Sequence, residues 1–111
     1  MLTENTKPAP TVEVIFTGQA KQVPIDPEHP VALPPAIAKA VAQMAHSVAL
    51  EHEPGTGRNL RISNIEESPE YLAAGCYYLL EKIKPAWGSR RLSLWIEADH
   101  TYCKICLRRN E

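Results

Sequence analysis

The sequence predicts one two-layer α+β domain, and three features carry that expectation. RRLSLWIEADHTYCKICLRR alternates apolar and polar residues on both sides of a polar turn, the pattern of a hairpin with one buried face. Ile37, Val41, Met44 and Val48 recur at helical spacing between Pro35 and Pro54. A second run, YLAAGCYYLL, follows Ser68 and Pro69 and is apolar almost all round. Together they make a two-layer sandwich. An antiparallel sheet, built from an N-terminal strand or hairpin and the C-terminal hairpin, is covered on one face by two antiparallel helices. A chain of 111 residues has material for one core. Residues 1–10, polar around two prolines, read as a flexible tail, and 11–111 as a single domain.

The first element is TVEVIFTG, where Val12, Val14 and Phe16 alternate with Glu13, Ile15 and Thr17 as in a half-buried strand ended by Gly18. KQVPID returns beside it with Val23 and Ile25 on one face. Pro24 lacks an N–H for the ladder and confines that partner to a sheet edge. Five prolines between 24 and 35 then make an extended, rigid surface connection. The first helix runs from Pro35 to about Glu53, stopped by Pro54 and Gly55. Beside its apolar stripe lies one of small residues, Ala38, Ala42, Ala45 and Ala49. The second helix, N-capped by Ser68, ends at Lys84 before Pro85. Its mid-helix Gly75 costs about 1 kcal/mol relative to alanine, so close packing of Ala74 and Gly75 on the alanine stripe is expected. Between the helices, Leu60 and Ile62 mark a short strand, and GTGR is a helix-ending turn that lacks the spacing of a phosphate-binding loop.

In the C-terminal hairpin, Asp99 and His100 at the tip set Ile96 opposite Cys103, Leu94 opposite Ile105 and Arg91 opposite Arg108. One face is then Leu92, Leu94, Ile96, Cys103, Ile105 and Leu107. The other carries Arg91, Ser93, Trp95, Glu97, Tyr102, Lys104, Cys106 and Arg108. The C-x-x-C of HTYCKIC therefore splits, Cys103 to the core and Cys106 to the accessible face, because strand residues three apart point oppositely. Zinc needs about four convergent ligands, and no second C-x-x-C or H-x-x-H supplies them. A thioredoxin-like couple wants its first cysteine at a helix start. No metal, cofactor or catalytic residue is assigned. His29, His46, His52 and His100 take surface or capping roles, His46 on the polar side of the first helix.

Apolar residues make up 44% and charged ones 23%, a globular composition. No run approaches the ~20 apolar residues of a membrane span, and three cysteines cannot all pair within one chain. A cytoplasmic location without membrane contact is expected. The net charge of -1 conceals a split: residues 1–81 carry five Lys/Arg against ten Asp/Glu, and residues 82–110 carry seven against two. Either the two parts face each other in the fold or the basic part meets an acidic partner. Arginines and aromatics are enriched at interfaces, so Arg91, Trp95, Tyr102, Lys104 and Arg108 are the candidate binding residues. The leading reading is a non-enzymatic binding module that forms a homo-oligomer or engages a protein partner through this face or through the second helix around Tyr71 and Tyr78. The alternative is a nucleic-acid binder that stacks bases on Trp95 and Tyr102. A small enzyme is third, for want of a catalytic constellation.

Overall fold

A computed structural model describes residues 10–26, 28–63, 66–88 and 91–110. The elements are β1 (Thr11–Phe16), β2 (Gln19–Pro24), α1 (Pro35–Ala49), β3 (Gly57–Ser63), α2 (Pro69–Ile83), a 3-10 turn over Lys84–Trp87, β4 (Arg91–Ala98) and β5 (Tyr102–Asn110). The tail expected over 1–10 lies, except for Pro10, outside the described residues. Among the described residues no helix is long and apolar enough to cross a membrane.

β1 and β2 form a hairpin whose two turn residues, Thr17 (φ 48°) and Gly18 (φ 85°), both have positive φ. Two successive residues of that kind match the right-handed twist of the flanking strands, which is why a glycine stands there. β2 is an edge strand, as its proline requires. Val12 and Val14 are buried on one side while Glu13 and Ile15 are half-exposed on the other.

The sheet has five strands in the order β2-β1-β4-β5-β3, and it is mixed. This corrects the expected all-antiparallel sheet on two counts. β1 lies parallel to β4, with Glu13 opposite Trp95 and Ile15 opposite Glu97. β3 is a full seven-residue strand antiparallel to β5, so β5 is an interior strand. Both differences follow from the connections. The β3–α2–β4 segment crosses over, which leaves β3 and β4 running the same way with a gap that β5 fills antiparallel to both.

The β4–β5 register also differs from the sequence expectation, by two residues. Leu94 is opposite Leu107, Ile96 opposite Ile105, Ala98 opposite Cys103, and Arg91 opposite Asn110 rather than Arg108. Asp99 is the cause. It opens the turn instead of forming its tip, and its Oδ1 accepts from the Thr101 amide at 2.7 Å, the Thr101 hydroxyl at 2.8 Å and the Tyr102 amide at 3.1 Å. These bonds, the Thr101 amide first, hold its carboxyl below the usual carboxylate range. A shift of two leaves every side chain on its expected face, because strand side chains alternate with period two.

Both helices pack on the face of Val14, Ile96 and Ile105, α2 over β1 and β4, and α1 over β3, β4 and β5. Ser68 caps α2 by accepting from the Tyr71 amide at 3.1 Å. α1 ends at Ala49, earlier than expected, because β5 captures the chain that follows: the Gly55 amide donates to the Arg109 carbonyl and the Arg109 amide to the Thr56 carbonyl, both at 2.8 Å. The Arg109 guanidinium donates to the Glu51 carbonyl just beyond the helix, where a cation meets the dipole's negative end.

The nearest neighbour of Gly75 is Leu33 and not the alanine stripe. A Cβ there would fall 2.5 Å from Cδ2 and 2.8 Å from Cγ of Leu33, which lies in the proline-rich segment. That segment is a strap across α2, pinned by Leu33 in the core and by the Tyr71 hydroxyl donating to the Ala32 carbonyl. Ala45 and Ala49 of the stripe join Val48, Leu80, Trp87 and Leu107 in a second buried cluster. There the Trp87 indole N–H donates to His46 Nδ1 at 2.8 Å, so this half-buried histidine accepts through Nδ1 and is not a free polar side chain.

Candidate interaction face

The opposite face of the sheet is covered by no described element, since both helices lie on the other side. Its surface can be built from the registers. The central row across the strands reads Gln22, Glu13, Trp95, Cys106, Asn59. The next row toward the β4–β5 turn reads Ala20, Ile15, Glu97, Lys104, Arg61. On the other side of the central row, Ser93, Arg108 and Gly57 lie abreast, and Arg91 is one strand repeat beyond. Tyr102 is opposite Ser63. All five residues singled out in the sequence, Arg91, Trp95, Tyr102, Lys104 and Arg108, therefore lie on this one face. Trp95 sits in its middle, half-buried, with its indole N–H donating to Glu97 Oε2 at 2.8 Å.

Charge divides the face by columns. Glu13 and Glu97 lie on β1 and β4, whereas Lys104, Arg108 and Arg61 lie on β5 and β3; Arg91, at the far end of β4, is the exception. Lys104 and Glu97 are directly opposite with 4.0 Å between charged atoms. Among the described residues no carboxylate lies within 4.0 Å of Arg61, Arg91 or Arg108. Of the described ion pairs, Glu81 with Lys84 alone links the acidic part of the chain to the basic part. Arg91 and Arg108 are diagonal neighbours in the observed register, which relieves the direct opposition expected from the sequence.

Arg61 was not foreseen as a face residue. Its guanidinium lies 4.2 Å from the centroid of the Tyr102 ring, a cation–π contact that occupies one face of that aromatic. The alternation of Asn59, Arg61 and Ser63 against Leu60 and Ile62 is the signal that could have found it, once β3 is known to pair with β5.

Cys106 is corrected too: it belongs to this outer face but is buried, at 5% exposure. Its neighbours in the row are Trp95 and Asn59, both far larger than a thiol, and they flank it because β5 is interior. Burial pushes the Cys106 and Cys103 thiols up to about 11 and Cys76 to about 12, which makes all three poor nucleophiles. Among the described residues no group of three or more His, Cys, Asp or Glu side chains gathers as metal ligands would.

No family model, no curated protein and no solved structure matches this chain. What the face is for has to be argued from its own chemistry.

Proposed function

We propose that the chain is a small non-enzymatic interaction module whose outer sheet face binds another folded protein surface. The observation that carries this reading is Trp95: a large aromatic in the middle of a five-stranded face that nothing described covers, beside Glu13 and Glu97, with Arg61, Arg91 and Arg108 around it on the face, none of the three with a carboxylate within 4.0 Å among the described residues. Such an anchor surrounded by polar residues is the usual anatomy of a protein interface. Two contacts favour a protein over a nucleic acid. Arg61 occupies the Tyr102 ring, and Glu13 and Glu97 flank Trp95, where their carboxylates would repel phosphates from a stacked base. The second helix is the weaker candidate, because the strap covers it around Gly75. Free thiols in all three cysteines suit a reducing compartment, so we place the module in the cytoplasm.

The test is a photo-crosslinking amino acid put at position 95, with the exposed position 39 of α1 as control, in cells making the full chain. Protein adducts from position 95 and none from position 39 are expected. Adducts to nucleic acid, or equal yields from both positions, would overturn the reading.

A further inference from the structure

We infer that the partner on this face is a second copy of the chain, packed sheet to sheet about a two-fold axis that runs along the strands between β4 and β5. The inference rests on the reading of the face as a protein interface. It comes from the division of charge by columns. An axis parallel to the strands turns one sheet over, so that the columns left of the axis in one copy lie above those right of it in the other. β4 then covers the partner copy's β5, and β1 covers its β3. Glu97 faces Lys104 of the other copy and Lys104 faces Glu97, so the central pair is satisfied twice. Glu13, which has no cation within 4.0 Å among the described residues, arrives over Asn59 with Arg61 one row away. Trp95 then lies over the other copy's Cys106, in the central row. An axis centred on β4 itself would instead set Glu97 on Glu97 and Arg91 on Arg91.

The available area is compatible with this. About this axis β2 has no strand opposite it. The four facing strands, each about 4.8 Å wide and about seven residues long at ~3.3 Å each, give roughly 440 Å² of projected face per copy, or on the order of 1,000 Å² for the pair with side-chain relief. Specific interfaces begin near ~1,200 Å², so a dimer dissociating in the micromolar range is expected rather than a permanent one.

Charge reversal across the axis tests this with E13K and R61E, which pair with each other only between copies. Sedimentation of the native protein should show concentration-dependent conversion of the 12.4 kDa chain to twice that mass. Each variant alone should raise the dissociation constant at least about tenfold, and an equimolar mixture should return it to near the native value, because reversed charges then face their complements. A native chain that stays monomeric at several hundred micromolar would overturn the dimer. So would variants that dimerise like the native chain, or a mixture that stays monomeric. If either reversal unfolds the chain, R61Q, which removes the charge without reversing it, should still weaken the dimer, and an unchanged dissociation constant would overturn the proposal. Failure of the dimer is separable from failure of the module: a monomer whose position-95 crosslinker still captures a different protein refutes the first and keeps the second.

Discussion

Replacing Gly75 with alanine should destabilise the protein in its native background and stabilise it when Leu33 is alanine. Two opposing effects set the sign. Alanine in the interior of a helix is favoured over glycine by about 1 kcal/mol. Against that, the new Cβ would lie 2.5 Å and 2.8 Å from two carbons of Leu33, one of them the branch atom Cγ, which no end-of-chain rotation moves clear. Leu33 is 8% exposed and fixed among core residues, so either its rotamer or the strap must yield. Overpacking of this kind costs about 1–3 kcal/mol, which leaves Gly75→Ala net destabilising by up to about 2 kcal/mol. Leu33→Ala removes the obstacle and by itself should cost about 2–5 kcal/mol through lost burial and the cavity left behind. In that background only the propensity gain survives, so adding Gly75→Ala should recover about 1 kcal/mol. The coupling between the two sites is then about 1–3 kcal/mol. Urea denaturation of the four proteins, fitted with a common m-value, measures it. If Gly75→Ala has the same sign in both backgrounds, the glycine is not there to admit Leu33, and the strap is not seated as described.

Three further outcomes follow from particular contacts. In the native protein at pH 8 all three thiols should resist labelling, and Trp95→Ser should open Cys106 selectively, since the indole is its direct neighbour in the row; equal exposure of Cys103 would mean that the sheet itself had loosened. Stability should fall as pH rises above about 9: the folded thiols hold their protons to about 11 or 12 while the unfolded ones release them near 9.0, so the folded state binds more protons through that window and each thiol contributes at most about 1.4 kcal/mol per pH unit. Urea midpoints that stay flat between pH 8 and pH 10.5 would contradict buried thiols. Arg109→Met should cost about 1–3 kcal/mol, because it leaves the Glu51 carbonyl without its donor at the end of α1, and an unchanged midpoint would remove Arg109 from the account of that helix end.

The local rules read correctly where neighbouring residues decided the outcome. Val12 and Val14, the Ser68 cap and Pro69, and the division of the C-terminal hairpin into an apolar and a polar face all follow from periodicity within one element. What the sequence concealed was partnership across long separations. The same alternation serves β1 whether it pairs parallel or antiparallel, and nothing in residues 11–16 reports which. Gly75 signalled a close approach, but not that Leu33 is its nearest neighbour, because a single leucine in a proline-rich segment carries no periodicity to mark it. His46 looked polar and free until Trp87, 41 positions away, was found donating to it. The candidate face was legible as a set of residues through the hairpin alone; its charge pattern was not, because Arg61 and Glu13 join it only once β3 and β1 take their places beside β5 and β4.

The interior position of β5 governs the order in which the chain can fold. Its partner β3 is made long before it, with Ser63 39 positions from Tyr102 and Gly57 51 from Arg108. Among the described residues β3 has no other strand beside it. Through translation of α2 and β4, therefore, β3 can only wait with its hydrogen-bonding edge unpaired, and its final docking depends on the last of the described strands emerging. Such non-local pairing slows folding and leaves strand edges exposed meanwhile. Arg58, Asn59 and Arg61 keep that waiting segment polar and charged, a composition that discourages pairing with another chain.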